Sequence, residues 1–293
     1  MYRATLLNSF RFMLLTLTML TIASCSSDFD FPTDEEPESG KAIEFTITPY
    51  ETEKFKSAAS DAFSQLSLAL LPTSGSNSPV IITQNDSDKN FGTISATIPF
   101  GEYELVIVGH NGDGEALVAK ADSVVFPANK ITDTFCHYQV LDVTKESASD
   151  LTIELKRCVA KMEIVNTDAI PAWAAKIETR SKGGGMSLNP KTGLATCPAV
   201  QEKASDIPQS YIGKTEKRFS TYSFLTDEET DMEFNITFFD SEGNAKIVHS
   251  FTEVPMRVNQ ITRYTGELFS TSAEVKSGIT ADTAWGETKE YTF

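Results

Sequence analysis

Arginine is missing from a long stretch of this 293-residue chain: none occurs between Cys25 and Arg157. Basic residues are scarce throughout, with 25 Lys and Arg against 41 Asp and Glu, a formal charge of −16. A surface of that sign repels phosphate backbones and argues against nucleic acid as a partner. Cysteine is also sparse. Cys25, Cys136, Cys158 and Cys197 are widely spaced and form no CxxC-type motif, so neither a disulfide framework nor a zinc site is indicated. Pairing among Cys136, Cys158 and Cys197 stays open. The three histidines, His110, His137 and His249, have no nucleophile or ligand arrangement around them, which points to a non-enzyme without cofactor or metal. The only long apolar run lies before Cys25. After it no helical period of useful length occurs, apart from Lys54 to Phe63, which fits a turn or two of helix.

What is present begins with a leader. Arg3 and Arg11 supply positive charge, Phe12 to Ile22 a short apolar stretch, and Ala23 and Ser24 small residues. That is a secretory signal, too short and wrongly flanked for a spanning helix. Its end, Thr21-Ile22-Ala23-Ser24-Cys25, resembles the lipobox of bacterial lipoproteins. The resemblance implies cleavage between Ser24 and Cys25 and acylation of Cys25, for example by palmitate. Each buried methylene is worth about 0.8 kcal/mol, so two or three chains anchor firmly. Residues 1–24 are thus a lipoprotein signal peptide, and 25–42 an acidic tether. Asp28, Asp30, Asp34, Glu35, Glu36 and Glu38 fill that tether before Lys41, and such a segment buries little apolar surface. In lipoproteins of the Bacteroidales, acids close behind the lipidated cysteine resemble a signal for export to the outer face of the outer membrane. The expected location is therefore the cell outer membrane, lipid-anchored and surface-exposed.

The remaining chain is patterned as β-strand. Ile94 to Ile98 and Leu151 to Leu155 alternate apolar and polar residues. Ala160, Met162 and Ile164 alternate with Val159, Lys161 and Glu163, and Phe234, Ile236 and Phe238 with Asn235 and Thr237. A period of two places one set against a core and the other in water. Turn residues separate the runs at Asn111 to Gly114, Asn189 to Gly193 and Asp240 to Asn244. Many short strands with regular turns predict an all-β protein of two tandem β-sandwich domains. A break at Lys156-Arg157-Cys158 divides them into 43–157 and 158–293, with no Pro/Gly linker between.

Three blocks carry a family likeness. They are Ile98-Pro-Phe-Gly-Glu-Tyr-Glu-Leu-Val-Ile-Val-Gly-His-Asn-Gly112, Leu155-Lys-Arg-Cys-Val-Ala-Lys-Met-Glu-Ile164 and Val254-Pro-Met-Arg-Val-Asn-Gln-Ile-Thr-Arg-Tyr-Thr-Gly-Glu-Leu-Phe269. In this order behind a lipobox, the chain resembles the fimbrillin-associated anchor lipoproteins of Bacteroidales, the FimB-like family. The resemblance implies transthyretin-like sandwiches and a structural role in a type V fimbria. Its partners would be fimbrial shaft or accessory subunits, bound by β-strand contacts. In related shaft subunits an arginine-directed protease removes the first strand; a chain without arginine between Cys25 and Arg157 would keep its own strand around Ile43 to Ile47. Alternatives are a fimbrial tip adhesin, a surface glycan-binding lipoprotein using Trp173, Trp285 or tyrosines, and an accessory lipoprotein of a nutrient-uptake system.

Weaker signals complete the inventory. Asp122-Ser123-Val124 and Asp282-Thr283-Ala284 resemble the O-glycosylation sequon of Bacteroidales, making Ser123 and Thr283 candidate sites. Asn111 to Gly114 lacks the further carboxylates of a calcium loop. Gly183 to Gly185 follows no phosphate-binding motif and is expected to be a flexible turn. Arg157 and Lys161 are either solvated or paired with acids across the domain junction, while Asn259 and Thr262 are expected at a turn or strand edge. The C-terminal Glu287 to Phe293 either adds to a partner's sheet or forms the last strand of its own.

Overall fold

A computed structural model describes residues 39–49, 62–270, 276–278 and 287–292. Ser24, Cys25, the tether as far as Glu38, residues 54–61 of the expected helix, Thr283 and Trp285 lie outside the described residues. In chain order the strands begin with β1 (Gly40–Pro49), β2 (Gln65–Pro72), β3 (Val80–Asn85), β4 (Thr93–Pro99) and β5 (Gly101–His110). There follow β6 (Leu117–Lys120), β7 (Ser123–Val125), β8 (Thr134–Val143), β9 (Asp150–Arg157) and β10 (Ala160–Asn166). Next come β11 (Lys176–Lys182), β12 (Gly184–Gly185), β13 (Leu188–Asn189), β14 (Leu194–Ala195) and β15 (Gln201–Asp206). The last are β16 (Arg218–Leu225), β17 (Glu229–Phe239), β18 (Ala245–Arg257), β19 (Gln260–Gly266), β20 (Lys276–Gly278) and β21 (Glu287–Thr292). The protein is all-β, as its alternating pattern predicts.

The first half folds as two leaves joined at a narrow corner. Its strand order is β3-β2-β5-β8-β9-β1-β4, yet β8 and β9 pair only at Phe135 with Arg157 and Cys136 with Lys156. Beyond that corner the leaves separate, and a core fills the space between them. Ile43, Phe45 and Ile47 of β1, with Ile94, Ile98, Ile153 and Leu155, meet Leu66, Leu68, Leu70, Leu105 and Ile107. Tyr103 joins this core with no exposed surface, its hydroxyl donating to the Pro99 carbonyl at 3.0 Å and accepting from Asn77 at 2.9 Å. Gly101 beside it has φ +148°, a conformation that L side chains rarely adopt, and starts the strand that carries Tyr103 inward.

The second half stacks the sheet β12-β16-β10-β19-β21-β20 on the sheet β15-β11-β17-β18. Met162, Ile164 and Tyr264 from one face Ile177, Phe234, Ile236 and Phe238 from the other. The three clearest alternating runs of the sequence, β9, β10 and β17, thus put their apolar sets into cores as expected.

A third core links the halves. Ala69, Val106 and Val108, on the opposite faces of β2 and β5 from the first core, pack with Val124, Phe126, Cys158, Val159, Leu188, Phe224 and Ile261. A small sheet, β14-β13-β7-β6, also takes strands from both halves, with Leu188 opposite Val124. The described chain from Ser39 onward forms one compact unit.

Candidate functional site

Arg157 sits where these layers meet. It ends β9, the last residue of that strand before Cys158 and Val159 turn the chain into β10. Its guanidinium donates to both oxygens of Asp133, at 2.7 and 3.1 Å, and to Asn259 Oδ1 at 3.2 Å. The same group lies over the Phe135 ring, 4.5 Å from its centroid. Planar, bidentate pairing of this kind suits arginine and not lysine. Asn259 occupies the β18–β19 turn with φ +59°, and its N–H donates to the Val159 carbonyl at 2.9 Å. The acid that Arg157 pairs with, Asp133, lies in its own half of the chain, and the contact across the junction is to the Asn259 amide. Thr262 donates to the Pro255 carbonyl at 2.6 Å, an internal strand contact.

Next to Arg157 the leaves of the first sandwich diverge, and a cleft of about 800 Å³ opens between β8 and β9. His137, Tyr138, Glu154, Lys156, Lys191 and Arg257 contribute to its walls. Lys191, from the β13–β14 turn, bonds Glu104 on β5, and Tyr138 donates to the same carboxylate at 2.9 Å. That hydrogen bond from Lys191 holds the Glu104 carboxyl below its usual range. The turn is built by Asn189, whose carbonyl accepts from Thr192 and Gly193 N–H groups, with Gly193 at φ +74°. The cleft is walled by both halves and fastened at one end by Arg157.

On the neighbouring sheet the sequence expectation fails for Glu163, placed by alternation in water. Only 1% of it is exposed. Arg263 and Lys161 hold its carboxylate, Lys161 at 2.8 Å, and Arg218 reaches it at 3.3 Å. Burial raises its pKa, but the hydrogen bonds and charges of Lys161 and Arg263 outweigh this and keep it low. Val159, also assigned to the wet face, is fully buried in the third core. Glu163 was misplaced because β10 is a central strand whose second face is covered and a buried ion pair looks polar in sequence, and Val159, just before β10, because the third core covers it.

The remaining candidates fall into place individually. Ser123, half-buried, begins β7 opposite Lys120. Cys136 and Cys158 are buried free thiols and Cys197 is an exposed one. Burial raises the Cys158 pKa well above the ordinary thiol range, and its Sγ donates to the Thr134 carbonyl at 3.3 Å. His110, fully buried, accepts from the Gly112 N–H at 3.0 Å through Nδ1, while burial lowers its pKa to about 4. His137 and His249 lie on β8 and β18. Trp173 packs half-buried against Phe269 and the second core. Among the described residues no group of three or more His, Cys, Asp or Glu side chains could hold a metal ion.

One further expectation requires correction, and one open alternative is resolved. Gly183 to Gly185 is not a flexible turn: Gly184 and Gly185 form β12, buried and in register with Leu225 and Phe224. A Cβ on Gly185 would collide with the Cys197 carbonyl, so close backbone approach explains the glycine. The C-terminal strand β21 pairs within its own chain, parallel to β19 and antiparallel to β20, and is not a tail free for a partner's sheet.

Fold and cleft define an all-β protein of fused sandwiches with a junction cleft. Residues 117–291 match the model of DUF6562, described as a family of unknown function, and the chain belongs to that family. The match starts at Leu117, the first residue of β6. No curated protein matches the sequence. Among solved structures, a "putative adhesin" from Bacteroides ovatus overlaps with a TM-score of 0.48 at 12% identity, over 79% of this chain and 88% of that one. The fimbrial anchor protein Mfa2 from Porphyromonas gingivalis gives 0.37 at 12% identity, over 73% and 83%. The tip fimbrial protein Mfa3 from the same organism, truncated at its C-terminus, gives 0.34 at 10% identity, over 72% and 81%. At these values the overlaps carry no functional argument. Among the described residues no helix is long and apolar enough to cross a membrane.

Proposed function

We propose that this protein is a non-enzymatic, lipid-anchored structural subunit of a type V fimbria, held at the outer face of the outer membrane through Cys25. The observation that carries the proposal is the placement of its first strand. β1 is hydrogen-bonded on both sides, antiparallel to β4 from Gly40 to Thr46 and parallel to β9 from Glu44 to Pro49. Its Ile43, Phe45 and Ile47 are buried in the first core. A subunit that keeps this strand has no vacant place there for a neighbour's strand. Such a chain is suited to end a polymer and not to continue it. The lipobox-like Thr21 to Cys25 and the acids behind it supply the attachment. The absence of arginine between Cys25 and Arg157 leaves an arginine-directed protease no site there at which to release β1.

Partner subunits would then add at another edge by backbone hydrogen bonds. β3 and β4 end the sheet of the first sandwich, and β18 ends one side of the smaller sheet of the second. The proposal is tested by labelling cells with a palmitate analogue and shaving intact cells with protease. Label on wild type but not on Cys25→Ala, with the protein digested from outside, is the expected result. Unlabelled or protease-protected protein would contradict it.

A further inference from the structure

Lys203 has no explanation in the packing of the second sandwich. It lies on the edge strand β15 opposite Thr179, which with Ile177 and Ser181 forms the inward face of β11. Its ammonium therefore enters the seam between β15 and β16. There it donates to the Ser220 carbonyl at 2.9 Å and makes no ion pair among the described residues. Burial lowers its pKa, and the charge of Lys130 lowers it further.

Lys130 comes from the other half of the chain, on the loop that follows β7. Both lysines line one cleft of about 290 Å³ at the junction. The carboxylate paired with Lys130 is Asp113, 3.4 Å away and almost wholly exposed, and Glu202 at the rim is engaged by Arg180 at 3.1 Å. The loop is held in an unfavourable form: Ala128 and Asn129 both have left-handed backbone, φ 52° and 53°. Such conformations cost about 1 kcal/mol or more each and concentrate at ligand sites. Asn129, Ser205, Thr221 and Tyr222 line the rest of the cleft.

Two ammonium groups thus converge on a small polar cleft in a chain of net charge −16. An anion there would offset the desolvation of Lys203 and the repulsion between the two ammonium groups. The volume lies near the lower end for ligand sites, about 300 Å³, and suits a single sugar ring. The lining offers hydroxyl and amide partners and one aromatic ring. We propose that this cleft binds an acidic sugar, with its carboxylate between Lys130 and Lys203 and its hydroxyls on Asn129, Ser205 and Thr221. The site stands independently of the fimbrial role. An inward-facing lysine on an edge strand also discourages sheet-to-sheet pairing, and the experiment separates the two uses.

The test is calorimetric titration of the purified full-length protein in detergent with sodium glucuronate, and with glucose at equal ionic strength. Glucuronate is expected to bind at least about tenfold more tightly than glucose. Lys130→Ala and Lys203→Met should each weaken glucuronate by about fivefold or more, and Lys246→Ala, on the β17–β18 hairpin, should leave it unchanged. Lys130 lies on a surface loop, so its variant keeps the test decisive even where Lys203→Met fails to fold. Glucuronate binding no tighter than glucose, or unchanged in folded Lys130→Ala, overturns the proposal. So does a Lys203→Met protein that self-associates but binds glucuronate like wild type, which would leave Lys203 as an edge guard alone.

Discussion

Arg157 and Asp133 form a two-pronged ion pair at 2.7 and 3.1 Å, with less than a fifth of either side chain exposed. Through it, the end of β9, the start of β8 and the β18–β19 turn are fixed to one another. Arg157→Ala leaves the Asp133 carboxylate and Asn259 amide without this partner in a mostly buried place, at a cost of about 2–4 kcal/mol. Arg157→Lys should recover only part, because the fork geometry is lost. Urea unfolding of the three proteins checks both statements, and a loss near zero for Arg157→Ala would remove the junction role.

Glu163 answers to three cations, two of them mostly buried. Glu163→Ala should therefore destabilise by about 3–5 kcal/mol, more than a hydrophobic truncation of similar size, because Lys161 and Arg263 remain without their carboxylate. A double-mutant cycle with Arg263→Ala measures the coupling.

His110 gives the fold a pH dependence. Burial holds its folded pKa at about 4 against 6.5 for the free side chain, so the folded state prefers the neutral ring. Its contribution is complete above about pH 6.5 and is lost as the pH falls towards 4, amounting to about 3 kcal/mol below that. Urea midpoints across this window should fall for wild type and flatten in His110→Gln. Parallel curves would contradict the assignment.

Asp240 acts at lower pH. Backbone N–H groups of Asn244 and Glu242 and the Asn244 side chain donate to it, and its pKa falls to about 2 from the ordinary 3.8. The turn is therefore supported at and above about pH 4 and weakens as the pH falls towards 2. Asp240→Ala should lower the unfolding midpoint at neutral pH and show no further loss of this kind in acid.

How much of this was legible in sequence depended on what covers each strand. β4, β9 and β17 have one dry and one wetter face, and their alternation announced them. β5 looked different: Leu105 to Val108 is apolar without alternation, because Leu105 and Ile107 enter the first core while Val106 and Val108 enter the third. Such an uninterrupted apolar run fits a strand covered on both faces, but nothing in it shows that segments from both halves cover it. Pairing of Leu188 with Val124, 64 positions apart in the chain, left no local trace. Nor did the convergence of Lys130 and Lys203, since a lysine on an inward position reads as an ordinary surface residue. Gly185 was visible as a glycine but not as a contact with Cys197.

On the proposed function, a retained β1 and a lipid on Cys25 together make this chain the anchored end of a fimbria. Electron microscopy of cells carrying Cys25→Ala beside wild type tests it most directly, with secretion and abundance of the variant checked in parallel. Long or shed fimbriae in the variant are the predicted result. Attached fimbriae of unchanged length, with the variant present at normal abundance, would contradict it.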